Sequence, residues 1–431
     1  MKKIILFAAG LYICLLSFSQ SSSPAKNAVL KEVAPASAGF SAERLARIDK
    51  LLQEYVDKKW IANGSAIIVH NGSIVYYKAI GYDDIDTKKA AKRDAIYRIA
   101  SQTKAITSVA VMMLYEQGKF LLDDPISKYI PEFKNPKVLD KFNEADTTYT
   151  TTPAKREITI RDLLTHTSGI AYAQIGTKES NAIYYKNGII AGIGVDGMIL
   201  GDKIKKLGTL PLLHNPGEKW TYGLNTDVLG YLVEVVSGMS LADFFRKNIF
   251  DPLGMNDTWF YLPKDKQSRL ITLYDEDTTG HIKKMDAWVN LNGKMYRDYP
   301  NMPGTYYSGG GGLSSTAYDY AVFMQMMLNG GTYNGKKILS RTSVHMMTEN
   351  QIGDIDFGDN KFGLGFGIKT EKNAGHSPAS VGSVDWGGMF SSSYWMDPKE
   401  KIAGQLFLNQ FPNSHGEIHE KFKALVYQAL E

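Results

Sequence analysis

The strand-forming runs of this 431-residue chain lie at its two ends, and the long stretch between them is patterned as helix. Near the start, Ser65–His70 and Ser73–Lys78 flank Asn71-Gly72. That pair supplies two positive-φ residues to a tight turn, so the segment reads as a β-hairpin. Near the other end, runs over 362–368, 393–396 and 401–409 are again strand-like. From about Ser101 to Leu313 the apolar spacing predicts helices near 101–117, 158–165, 223–237 and 241–249, the last broken at Asp251-Pro252. Helices are also predicted over 316–329, over 417–430, and from an N-cap at Ser41 to Val56, where Leu45, Ile48, Leu51 and Leu52 share a face. Strands separated this way suggest one sheet built from both termini, with the helical middle as an insertion. A cleft between sheet and insertion is the natural place for a site.

Two features bound the setting. Lys and Arg number 49 against 45 Asp and Glu, a net charge of +4 that gives no footprint for nucleic acid. Met1-Lys2-Lys3, the apolar run Ile4–Phe18 and the small residues Ser17 and Ser19 make a secretory signal peptide over 1–19. The run falls short of the ~20 residues that span a bilayer, so no membrane anchor is expected, and the chain is expected to be exported to the periplasm or beyond. Cys14, the one cysteine, sits inside that apolar run between Ile13 and Leu15, which is no place for a lipid-attachment site. Cleavage removes it, leaves no disulfide or thiol chemistry, and lowers the charge to +2. The Ser-rich segment 20–30 reads as a flexible leader and 31–431 as the folded domain.

Ser101-Gln-Thr-Lys104 opens an apolar helix. A serine at that point meets unpaired N–H groups and the positive end of the helix dipole. Lys104 follows one turn later on the same face, within reach of the hydroxyl, and burial would make its amine a base. The spacing alone is weak, since Ser23 to Lys26 repeats it. Two more segments add polar and aromatic groups: His214-Asn-Pro-Gly-Glu-Lys-Trp-Thr-Tyr222, continuing to Gly230, and Val384-Asp-Trp386-Gly387-Gly388-Met389.

With these motifs the chain resembles the penicillin-recognising serine hydrolases: class C β-lactamases, D,D-peptidases and family VIII carboxylesterases. Arg98–Lys104, Ile158–Gly169, Pro216–Tyr222, Thr226–Gly230, Asp251–Met255, Gly309–Ser315 and Trp386–Gly388 occur in the family's order over roughly 40–430. The resemblance implies a β-lactamase/transpeptidase-like fold. Its α/β part (31–100 and 314–431) is an antiparallel sheet flanked by helices, and its all-α part (101–313) is the insertion. It further implies Ser101 as nucleophile, Lys104 and Tyr222 as its proton-handling partners, and an oxyanion hole made by the N–H groups of Ser101 and Met389. Asn225, Trp386, Gly387 and Gly388 would line the substrate pocket. No metal or cofactor is implied; the partner is a small ester or amide.

The departures from the β-lactamase pattern are informative. That pattern has Tyr-x-Asn, where this chain has Tyr222-Gly223-Leu224, with Asn225 one position late. It has Lys or His where this chain has Trp386. The pocket is therefore more apolar and lacks a cation at that point, as in the esterase branch. The resulting expectation is ester hydrolysis through an acyl-enzyme, with a β-lactam or D-Ala amide as the alternative and a non-catalytic penicillin-binding-like sensor as a reading of another class. His415 and His419, at i and i+4, could hold a metal but read better as a solvated helix start. Gly309–Gly312 lacks the Lys-Ser/Thr of a phosphate loop. His166 is expected to be a satisfied buried histidine. Tyr97, Trp220, Tyr306, Tyr307, Phe390 and Trp395 are expected to serve mainly as core.

Overall fold

The computed structural model describes residues 29–193, 197–290 and 294–431, so the expected signal peptide and most of the leader lie outside the described residues. The main sheet has nine strands: β1 (Lys31–Glu32), β2 (Asn63–His70), β3 (Ser73–Asp84), β4 (Lys89–Ala90), β5 (Lys361–Phe362), β6 (Gly367–Ile368), β7 (Val384–Gly388), β8 (Ser392–Asp397) and β9 (Ile402–Phe407). Their order is β1-β3-β2-β9-β8-β7-β6-β5, with β4 on β3. The two ends of the chain meet where β9 pairs antiparallel with β2, Gln405 opposite Ile67. Every pairing is antiparallel except β1 with β3. Asn71 and Gly72 take φ of 50° and 82°, as a tight primed hairpin turn demands.

Successive residues of β2 go to opposite layers, which is why it reads as a continuous apolar run rather than an alternating one. Ala66 and Ile68 join Leu45, Ile48 and Leu52 of α1 (Ala42–Asp57) and Phe422 of the C-terminal helix. Ile67 and Val69 join Val109 of α2 (Thr103–Glu116), Leu229 of α3 (Asn225–Ser237) and Phe323 of α4 (Ala317–Leu328). The sheet and the insertion thus share one core. The C-terminal helix, α5 (Ile418–Gln428), lies against α1 on the other face.

Several elements differ from expectation. Leu30, assigned to the flexible leader, is buried, and its N–H donates to Tyr333 Oη at 2.9 Å. The insertion is not wholly helical. Lys137–Phe142 pairs with Tyr149–Pro153, and Trp288–Asn290 with Lys294–Tyr296, in ribbons whose polar residues hide the strand period. The chain does not leave the helix at Asp251-Pro252: a π turn over Arg246–Phe250 leads into Asp251–Leu253, and Gly254, with a φ of 73°, ends the run. Among the described residues no single helix is long and apolar enough to cross a membrane.

Candidate active site

The nucleophile turn is built from a short strand. Tyr97 and Arg98 pair with Ser315 and Ser314, and Ile99 N–H donates to Leu313 O at 3.1 Å. Arg98 is fully buried and locks this strand from four directions. Its guanidinium donates to Ile271 O (2.8 Å), Asn409 Oδ1 (3.0 Å), Asp298 Oδ1 (3.0 Å) and Arg297 O (3.0 Å). Ala100 is then forced to a φ of 42°, a left-handed conformation that a side chain rarely adopts. The kink, a 3-10 turn over Ala100–Gln102, brings Ser101 out at the mouth of α2.

Three side chains converge there. Tyr222 Oη lies 2.7 Å from Ser101 Oγ, and Lys104 Nζ donates to the same oxygen at 3.1 Å. Lys104 is 2% exposed, and its other two contacts are Tyr172 Oη at 2.9 Å and the Gly310 carbonyl at 2.6 Å. An ammonium has three N–H donors, and three oxygens receive them here. Burial pushes the Tyr222 phenol up, but the neighbouring Lys104 charge and the donors from Ser101 and Trp386 outweigh it, so its pKa falls below the usual phenol value. Tyr172 goes the other way, raised by burial and by Tyr222 beside it. The sequence reading missed Tyr172, whose only signal was its place three residues after the Thr-Ser-Gly loop.

Tyr222 is held by rings. Trp220 stacks on it at 5.8 Å with planes 7° apart, and His166, Tyr172 and Trp386 pack at 5.1, 5.1 and 5.7 Å. His166 is buried as expected, which drives its pKa well below 6.5 and keeps it neutral. Asn225 is not in the pocket. It is fully buried, its amide donates to His166 Nδ1 (3.0 Å) and Ile170 O (3.3 Å), and Ser168 Oγ donates to its carbonyl oxygen. As the first residue of α3 it reaches down into the loop beneath the site rather than up to solvent.

Ser101, Tyr222, Trp386, Gly387, Gly388 and Met389 all border one cavity of about 910 Å³. A Cβ on Gly388 would lie 2.4 Å from the Ile99 carbonyl, so β7 approaches the nucleophile turn as only glycine allows. Tyr172, Ile175, Ile190, Ile193 and Met295 make the insertion side of the wall apolar. Of the six aromatics assigned mainly to the core, Trp395 alone borders the cavity. His419 is not a solvated helix start. Its ring nitrogens face Ser393 Oγ (2.8 Å) and Ser391 Oγ (3.1 Å), and it borders the cavity beside Asp385, Glu420 and Lys423. The described residues hold no group of three or more His, Cys, Asp or Glu able to bind a metal.

A hydroxyl between a buried amine and a phenol of lowered pKa is the apparatus of acyl transfer to serine. The family model for Beta-lactamase matches residues 48–428. The chain belongs to the beta-lactamase family. It is a serine hydrolase of that family, and its relatives include both esterases and peptidase-like proteins. Esterase EstB of Burkholderia gladioli is 28% identical over 83% of this chain and 88% of its own length. A putative D-alanyl-D-alanine carboxypeptidase of Escherichia coli K12 is 31% identical over 81% of this chain and 78% of its own. Among solved structures, EstCE1, described as a hydrolase with promiscuous acyltransferase activity, superposes with a TM-score of 0.77 at 26% identity, covering 89% of this chain and 98% of its own.

Proposed function

We propose that this beta-lactamase-family hydrolase is an exported esterase acting on small, uncharged carboxylic esters through an acyl-enzyme on Ser101. The single observation that carries the assignment of roles is the hydrogen-bond set around Lys104. With its donors directed at Ser101, Tyr172 and Gly310, Lys104 serves as an ammonium, and Tyr222, as phenolate, takes the Ser101 proton. Ser101 Oγ then bonds the ester carbonyl carbon, and the carbonyl oxygen becomes an oxyanion facing the N–H groups of Ser101 and Met389. Each such donor is worth about 3–4 kcal/mol in the tetrahedral state. Collapse breaks the ester C–O bond, and the leaving alkoxide takes the proton from Tyr222. Water then bonds the acyl carbon while giving a proton to Tyr222, and as the acyl C–Oγ bond breaks Tyr222 returns that proton to Ser101 Oγ, releasing the acid and restoring the free enzyme.

The preference for uncharged esters rests on charge. Where a β-lactam or D-Ala peptide would present its carboxylate, β7 offers Trp386 in place of a cation. The charged groups at the α5 end of the cavity are Asp385, Glu420 and Lys423, with Lys423 Nζ 3.3 Å from Glu420 and 3.8 Å from Asp385. Two carboxylates for one ammonium disfavour an anionic substrate. Amide hydrolysis is the second reading, supported by the likeness to the putative carboxypeptidase. A nitrophenyl ester and a chromogenic cephalosporin, run on wild type and Ser101→Ala, separate the two. Ester turnover lost in Ser101→Ala supports the proposal, and faster cephalosporin turnover overturns it. A fluorophosphonate that fails to label Ser101 would instead favour a non-catalytic sensor.

A further inference from the structure

Asp227, in the first turn of α3, is a buried carboxylate that the reaction above leaves unused. It is 1% exposed, and the partners of its Oδ1 are neutral: the Ser308 hydroxyl at 2.6 Å and the Gly310 N–H at 3.4 Å. Its Oδ2 has no hydrogen-bond partner among the described residues. A Cβ on Gly310 would stand 2.5 Å from that oxygen and 3.5 Å from Tyr172 Oη, so Oδ2 lies beside Gly310 on the side of the Tyr172 phenol. A carboxylate sealed from water with no cation in contact is costly, and apolar residues fill most of α3's buried face.

Gly310 links this carboxylate to the nucleophile. Its N–H points to Asp227, while its carbonyl accepts from Lys104 Nζ at 2.6 Å. The same loop is pinned to α2 by Thr107 Oγ1, which donates to Gly309 O at 2.7 Å. The titratable groups around the pair are Lys104 from α2, His166 and Tyr172 from the loop below, Tyr222, and Tyr306 from the loop that leads to Gly310. Burial holds His166, Tyr172 and Tyr306 in their neutral forms. Burial also pushes the Asp227 carboxyl up, opposed by the Ser308 donor, the Lys104 charge and the Gly310 N–H; with Tyr222 it is one of the two groups here that can set a negative charge against Lys104.

We propose that Asp227 is a positioning residue for acylation: its carboxylate holds the Gly310 carbonyl against Lys104 and so sets that amine beside Ser101 and Tyr222, leaving Tyr222 to take the Ser101 proton. This rests on the esterase reading of the site. The test is the pH profile of kcat/KM on nitrophenyl acetate for wild type, Asp227→Asn and Ser308→Ala. Removing a negative charge lets Tyr222 release its proton more readily, so the acid limb moves to lower pH in Asp227→Asn, by roughly half a unit or more. KM stays within about two-fold while kcat falls ~10-fold, as for a displaced catalytic group. Ser308→Ala, which withdraws the donor that stabilises the carboxylate, moves the acid limb the same way by less, and it decides the matter if Asp227→Asn does not fold. Rate lost equally at every pH, with unmoved limbs, marks a merely structural role and overturns the inference. Should Ser101→Ala still turn over the ester, the reading of the site itself fails; should it be inactive while all profiles coincide, this inference alone fails.

Discussion

Tyr222 Oη lies 2.7 Å from Ser101 Oγ, closer than the 3.1 Å of Lys104 Nζ, whose two other donors are occupied. The phenol is thus the better placed base and the amine its counter-charge. Because the Tyr222 pKa is lowered, the active phenolate is present above a limb that lies below the usual phenol value of 10.0, and activity is lost as pH falls through it. Tyr222→Phe is expected to cut kcat by about 10²–10⁴ with little change in KM and to abolish that limb. A pH–rate profile of the variant that kept the wild-type acid limb would assign the base elsewhere.

The glycine pair of β7 permits an internal comparison. At Gly388 a methyl group would stand 2.4 Å from the Ile99 carbonyl, whereas at Gly387 it would meet only the Ser392 carbonyl at 3.2 Å. Gly388→Ala must push the strand away from Ser101, and with it the Met389 N–H assigned to the oxyanion. A displacement near 1 Å costs about 10²-fold in rate. Steady-state kinetics on an ester should therefore show Gly388→Ala far below Gly387→Ala. Equal rates for the two variants would remove β7 from the oxyanion site.

Much of this arrangement was legible in the sequence because the chemistry sits on local patterns. Asn71-Gly72 fixes a hairpin by its own dihedral needs, and Ser101 to Lys104 is one turn of one helix. Tyr222 was reached through the family resemblance, and the structure brings it to the same oxygen. What escaped depends on contacts between distant segments. Tyr172 reaches Lys104 across 68 positions and Gly310 across 206, and no periodicity reports such a distance. Asn225 failed as a pocket residue because a one-position offset from the Tyr-x-Asn pattern, at the start of a helix, turns the side chain toward the buried loop. His419 looked solvated because its burial comes from β8 and the cavity wall, not from the helix that carries it.

The acid-rich end of the cavity sets a substrate preference that charge reversal should undo. Glu420 is 66% exposed on its side chain and pairs with Lys423, which is only 12% exposed. Glu420→Lys frees Lys423 and adds a second cation beside Asp385. The ratio of kcat/KM for a carboxylate-bearing nitrophenyl ester over its neutral counterpart is expected to rise about 10-fold, the effect of ~1.4 kcal/mol of screened Coulomb energy. The rise should shrink in high salt. An unchanged ratio at low salt means that substrates do not extend to α5.

His419 ties stability to pH at the same end of the molecule. Burial first, and the Lys423 charge second, lower its pKa to about 4, so the folded protein keeps it neutral between Ser391 and Ser393. An unfolded histidine titrates near 6.5, so from about 6.5 down to about 4 the unfolded chain binds a proton that the folded chain refuses. Stability is therefore greatest above that window and declines as pH falls through it. His419→Gln retains a hydrogen-bonding side chain but removes the titration. The drop in melting temperature between about pH 7 and pH 4.5 should be smaller in the variant than in wild type. It should not vanish, because His166 is held neutral by burial and adds a slope of the same sign. Melting curves that fall in parallel for the two proteins would show that His419 is already protonated in the fold.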